Sequence, residues 1–175
     1  RTAFFIPGGN EKMLAKAGSI AADLIIFDLE DSVLPSEKRQ ARKLVQSILK
    51  DNSNGKQTLA VRVNAMDTPY LKDDLDAVMS GRPDIIMLPK LESGEQLMQV
   101  SILLDQLESE NSIKGGNTKV IGITAETPRG IFGFNSINNT SNRLVGLSWG
   151  PEDLATELGA TANRDQQGNF LPPFE

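Results

Sequence analysis

Glu126 and Asp153 are the residues whose placement first points to chemistry. Glu126 closes the apolar run Lys119–Glu126, and Asp153 lies just past the run Leu144–Gly150. Two carboxylates at the same ends of neighbouring parallel strands can share one hard cation, of which Mg2+ is the expected one. Taken singly, either acid could instead be a helix N-terminal residue that complements the backbone dipole.

Other groups with chemical potential fall at similar places. Arg62, in VRVN, sits inside a run that otherwise reads as core, and a buried guanidinium needs an anionic partner. That partner is either a substrate carboxylate, for which Arg is the usual bidentate clamp, or Asp28 or Glu30 in a structural ion pair. Lys90, in LPK, invites the same two readings. The segment DLEDSVLPSEK places Asp28, Glu30 and Asp31 at the end of another run, where they can orient a cationic side chain or a metal-bound water. The turn Gly8-Gly9-Asn10 leads into a predicted helix on which Lys12 and Lys16, four residues apart, share a face. Near a helix N-terminus such a pair suits phosphate, and it equally suits a solvated surface. In SWGPED, Gly150 between Trp149 and Pro151 can let backbone N–H groups approach an anionic oxygen, or can simply make a turn.

Composition narrows the chemistry. The 175 residues contain no histidine and no cysteine. This excludes His-based triads, thiolate chemistry and His- or Cys-ligated zinc within these residues, and leaves carboxylates, Lys, Arg and Tyr70. A net charge of −5 does not supply the basic stripe that nucleic-acid binding requires. No run approaches the roughly 18 apolar residues that span a bilayer, and no secretory leader pattern is visible. The expectation is a cytoplasmic protein that binds neither nucleic acid nor membrane.

The elements that must hold these residues follow from apolar periodicity. Strands are predicted at Ala3–Pro7, Leu24–Glu30, Thr58–Asn64, Ile85–Lys90, Lys119–Glu126 and Leu144–Gly150. Most are short, continuous apolar runs, the pattern of a parallel sheet covered on both faces. Between them, Ser36 is the expected cap of a helix with Ala41, Leu44, Val45 and Ile48 inward, and Ser93 with Gln96 resembles a capping box for a helix burying Leu97, Val100, Leu104 and Leu107. Asp51–Lys56 and Asn111–Asn117 read as surface turns. Repeated strand–helix units argue for a parallel α/β architecture, open or closed. PGGNEK after the first strand lacks the dinucleotide-binding fingerprint, whereas polar residues recur at every strand's C-terminal end, where barrel active sites are built. The predicted fold is therefore a (β/α)8 TIM-type barrel, with residues 1–175 a single, incomplete domain of about six of the eight units.

Taken together and in order, FFIPGGNEK, LIIFDLEDSV followed by KRQAR, VRVN, IIMLPKLES, ITAETPRGI and LSWGPEDLATELGA resemble the citrate lyase β-subunit-like family of the HpcH/HpaI aldolase superfamily, whose members are (β/α)8 barrels. The resemblance implies a Mg2+-dependent carbon–carbon lyase acting on a 3-hydroxyacyl-CoA such as malyl-, citramalyl- or citryl-CoA. Its products would be an acyl-CoA and a 2-oxo acid: pyruvate, glyoxylate or oxaloacetate. It implies that Glu126 and Asp153 ligate Mg2+, that Arg62 binds the keto-acid carboxylate, and that Lys12, Lys16 and Phe5 contact coenzyme A. It further implies a homotrimer in which a neighbouring subunit supplies a C-terminal aspartate as acid/base, and no segment here matches that aspartate. An aldolase of free hydroxy-keto acids and a non-catalytic ligand-binding or assembly subunit are the alternatives.

Overall fold

Every strand begins at the first residue of its apolar run. The computed structural model, which describes residues 2–51 and 57–174, contains β1 (Ala3–Pro7), β2 (Leu24–Asp28), β3 (Thr58–Arg62), β4 (Ile85–Leu88), β5 (Lys119–Thr124) and β6 (Leu144–Trp149). All pair in parallel in the order β1-β2-β3-β4-β5-β6, each strand hydrogen-bonded to its sequence neighbour. Helices α1 (Glu11–Leu14), α2 (Lys38–Asp51), α3 (Leu71–Met79), α4 (Gly94–Glu110), α5 (Pro128–Ile137) and α6 (Pro151–Glu157) lie between or after them. The result is a six-stranded parallel α/β sheet flanked by helices, consistent with part of a (β/α)8 barrel. Among the described residues no helix is long and apolar enough to cross a membrane.

Alternation along the strands divides the core. Ile25, Phe27, Leu59, Val61, Ile86, Leu88 and Val120 join Val45, Leu75, Val100 and Leu104 of the helices in the main cluster. Ile26, Ala60, Met87 and Ile123 form a smaller cluster from the strands alone, on the opposite face. β6 departs from the expected covered strand, because Val145, Leu147 and Trp149 are exposed.

The predicted ends need more correction than the starts. β2, β3, β4 and β5 stop two residues before their runs end. After β4 and β5 the backbone turns away as Lys90 and Ala125 adopt φ of 49° and 55°, outside extended geometry. Ser36 is not a cap: Pro35–Glu37 form a 3-10 turn, and α2 starts at Lys38. Its buried face is Ala41, Arg42, Val45 and Leu49, with Leu44 and Ile48 at the margin. Ser93 does cap α4, accepting from Gln96 N, but the Gln96 side chain accepts from Glu92 N, one residue short of a reciprocal box. Leu97, Val100, Leu104 and Leu107 are buried as expected. α1 is a single turn capped by Asn10, so Lys12 and Lys16 do not share one helical face. Of the predicted turn Asp51–Lys56, Asp51 closes α2 and the remainder lies outside the described residues.

Candidate active site

The site is assembled from the residues just past the strand ends. Asp28 and Arg62 are the last residues of β2 and β3 and are paired in register. Arg62 Nε donates to Asp28 Oδ1 at 2.7 Å and Nη2 donates to Oδ2 at 2.9 Å, a bidentate fork. Arg62 Nη1 lies 3.0 Å from Glu30 Oε2 and 3.4 Å from Asp31 Oδ2, and the guanidinium carbon stands 5.3 Å from the Phe5 ring centre. The structural ion pair foreseen for Arg62 is thus formed, and it uses Nε and one edge of the fork. A guanidinium has five N–H donors, of which the Asp28 fork takes two, and Nη1 faces Glu30 and Asp31. Burial opposes ionisation of Asp28, yet the Arg62 hydrogen bonds and charge outweigh it and hold that carboxyl below its ordinary value.

Lys90 is the second junction. Its left-handed backbone points the N–H at Glu126 Oε2, 2.6 Å away, while its ammonium lies 2.8 Å from Asp153 Oδ2 and 3.3 Å from Glu30 Oε1. One lysine therefore contacts Glu30, Glu126 and Asp153. Glu126 is buried at the end of β5, and burial, reinforced by the negative charges of Glu30 and Asp153, pushes its carboxyl up to about 7. Burial also raises Glu30 above its usual range, against the pull of Arg62. Glu30 Oε2 accepts no aligned hydrogen bond despite its proximity to Arg62. Gly150, at the N-terminal boundary of α6, owes its identity to Glu126: a Cβ there would stand 2.4 Å from Glu126 Cγ and 2.6 Å from Oε1. The expected anion seat at SWGPED is in this structure the space that Glu126 occupies, and Trp149 packs edge-on against Phe170.

Sequence reasoning missed the buried polar scaffold behind this ring. Lys38 Nζ donates to the carbonyls of Leu29 and Glu30, both at 2.7 Å, and Asn64 Nδ2 donates to Leu29 O at 3.0 Å. Asp74, fully buried, accepts from Asn64 N, Asn64 Nδ2 and Arg42 Nε. The loop after β2, which carries Glu30, is therefore held from behind by two donors. A signal was present: Asp74 lies between Leu71, Leu75 and Val78 on the apolar side of α3, where a carboxylate requires partners.

An open cleft of about 1010 Å³ adjoins the ring, lined in part by Glu30, Lys38, Tyr70, Lys90, Glu92 and Arg129. It meets the site at Glu30 and Lys90 and does not include Arg62, Glu126, Asp153 or Phe5. Lys12 and Lys16 are exposed. No hydrogen bond or ion pair joins either to the ring among the described residues.

The donor set suits a small hard cation. No group of three or more His, Cys, Asp or Glu side chains is arranged to share a metal among the described residues. Mg2+ does not need one, because it is commonly held by one or two carboxylates and keeps several waters. An ammonium seated against Asp153 and Glu30 shows that these carboxylates already favour positive charge between them.

Comparison with known proteins places this arrangement in context. Residues 1–169 match the family model described as HpcH/HpaI aldolase/citrate lyase. The citrate lyase subunit beta of Leuconostoc mesenteroides subsp. cremoris is 36% identical over 158 residues, covering 90% of this chain and 52% of that protein. A (3S)-malyl-CoA thioesterase of Cereibacter sphaeroides is 36% identical over 166 residues, covering 95% and 54%. The chain thus spans about half the length of the curated relatives it matches. Protein CitE of Mycobacterium tuberculosis, in complex with magnesium and acetoacetate, superimposes with a TM-score of 0.77 at 30% identity over 97% of this chain and 62% of that one. Its complex with magnesium, acetoacetate and coenzyme A gives 0.73, again at 30% identity, over 96% and 55%.

Proposed function

Because this chain belongs to the HpcH/HpaI aldolase/citrate lyase family, we propose that it serves a Mg2+-dependent lyase that breaks or forms the carbon–carbon bond of a 3-hydroxyacyl-CoA. The products of cleavage are an acyl-CoA and a 2-oxo acid. The observation that carries this reading is the convergence of Glu126, Asp153, Lys90, Glu30 and Arg62 at the C-terminal end of one parallel sheet. CitE bound to magnesium, acetoacetate and coenzyme A supports it, as does the malyl-CoA named for the Cereibacter relative.

Glu126 and Asp153 would hold Mg2+, which when bound supplies Lewis-acid polarisation of an oxygen on the 2-oxo acid. Arg62 presents the Nη hydrogens that the Asp28 fork does not take to the acid's carboxylate, in competition with Glu30 and Asp31, and the fork fixes the plane in which they point. Phe5 supports the guanidinium from below. In cleavage the substrate hydroxyl loses its proton as it becomes the carbonyl of the 2-oxo acid, the carbon–carbon bond breaks, and the electron pair left on the carbon next to the thioester takes up a proton to give the acyl-CoA. Synthesis reverses this flow. Lys12 and Lys16 meet the coenzyme A moiety, and Arg62, Glu126 and Asp153 form the reacting end. Residues 1–175 act as a single, incomplete barrel domain in the cytoplasm, within a homotrimer.

The test is mass-spectrometric detection of acetyl-CoA or propionyl-CoA released from malyl-, citramalyl- and citryl-CoA, with Mg2+ and with chelator. Mg2+-dependent release from one substrate is expected. Calorimetry should show Mg2+ binding that Glu126→Gln abolishes, and equal binding by both proteins would remove the metal site. Replacing Lys12 and Lys16 with Ala should weaken the CoA ester about tenfold or more while leaving 2-oxo acid affinity nearly unchanged. An unmoved ester would favour an aldolase of free hydroxy-keto acids.

A further inference from the structure

Lys90 contacts three carboxylates that come from three different strand ends, and it uses two different groups to do so. Its backbone N–H is spent on Glu126, whereas its ammonium is shared between Glu30 and Asp153. The first contact is fixed by the fold. The second is not: the Lys90 side chain is 27% exposed and Asp153 is 33% exposed, so the ion pair faces the opening of the site. Lys90 and Glu30 also line the adjoining cleft, which gives the ammonium somewhere to go without losing Glu30.

We propose that the Lys90 ammonium is a resident counter-cation that stands in for the divalent ion and is displaced from Asp153 when that ion binds Glu126 and Asp153. This rests on the metal site described above and deepens it. Asp153 cannot give the same oxygen to an ammonium 2.8 Å away and to a divalent cation without one repelling the other. The displaced side chain stays tethered to Glu30 and swings along the cleft wall, away from the metal. Metal loading and the position of Lys90 are then one exchange, with the ammonium neutralising the acids in the free protein and leaving them when the ion arrives. Lys90 is by this account a positioning residue for the acids, and its removal should help the metal rather than hurt it.

The experiment is calorimetric titration with Mg2+, combined with thermal unfolding in chelator and in Mg2+, on wild type, Lys90→Met, Lys90→Gln and Lys90→Arg. Removing the competing charge should tighten Mg2+ binding about tenfold in Lys90→Met and Lys90→Gln, and Lys90→Arg should stay within about threefold of wild type. The two neutral variants should melt lower than wild type in chelator and show the larger upward shift on adding Mg2+. If neither folds in chelator, recovery of the fold by Mg2+ supports the exchange and failure to recover overturns it. Wild-type binding that the neutral variants leave unchanged or weaken would overturn this inference alone. Absence of Mg2+ binding in wild type and variants alike would overturn the proposed function and the exchange with it.

Discussion

At the scale of single residues, the site depends on one missing side chain. Gly150 leaves the volume in which the Glu126 carboxylate lies, and a Cβ would fall 2.6 Å from Oε1. Gly150→Ala should therefore push Glu126 off its Lys90 N–H and lower Mg2+ affinity about tenfold or more, measured by calorimetry, while the thermal midpoint in chelator moves little. Glu126 also sets a pH dependence. Its carboxyl, raised to about 7 chiefly by burial, must lose its proton to take a cation. Apparent Mg2+ affinity should fall about tenfold per pH unit below 7 and level off above it, and titration at several pH values would show the break. Without metal, the folded protein binds this proton more tightly than the unfolded chain does, so this group's contribution to stability declines as pH rises through 7. The strand-end positions of Glu126, Asp153 and Arg62 were legible because each follows or ends an apolar run, although each also had a purely structural reading. The multiple contacts of Lys90 were not, because they need a left-handed φ of 49° that no residue type advertises. Nor could the sequence choose between ligand and ion pair for Arg62, since both answers require the same burial.

Elements were legible where local chemistry and tertiary packing agree. All six strand starts and the buried stripe of α4 follow from apolar spacing, whereas the strand ends depend on turns that gather polar groups. The far end of the sheet shows another arrangement that only tertiary contact reveals. Glu108 of α4 accepts from Gly116 N, Thr118 N and both Nη atoms of Arg143, which precedes β6. Arg143 also bonds Asp105 and the Thr118 carbonyl. This ties α4, the entry to β5 and the entry to β6 into one joint. Burial opposes ionisation of Glu108, but the Arg143 hydrogen bonds win and hold the carboxyl down at about 2. A depressed carboxylate stabilises the fold above its unfolded value of 4.5 and loses that contribution as pH falls toward 2. Glu108→Gln should lower stability by roughly 3 kcal/mol at pH 7, and the gap from wild type should close near pH 2 in acid denaturation curves. The packing of α5 on the segment leading into α4 is also tight: a Cβ on Gly133 would clash with Glu92 O, so Gly133→Ala should displace α5 and lower the thermal midpoint by several degrees.

At the scale of the whole molecule, β1 and β6 stand at the two ends of the strand order among the described residues, and both carry exposed apolar side chains. Phe4 and Phe5 on one and Val145, Leu147 and Trp149 on the other are exposed. The parallel α/β class was visible in the sequence because each run is short, apolar and followed by a helical stretch. The exposure of Val145, Leu147 and Trp149 was not, because β6 has the same composition as a covered strand. The strand order β1-β2-β3-β4-β5-β6 means that no strand waits for a later one to provide its preceding neighbour. A chain emerging from the ribosome can therefore lay down this sheet one unit at a time, each new strand hydrogen-bonding to the surface just completed, and growth from the amino end can keep pace with synthesis.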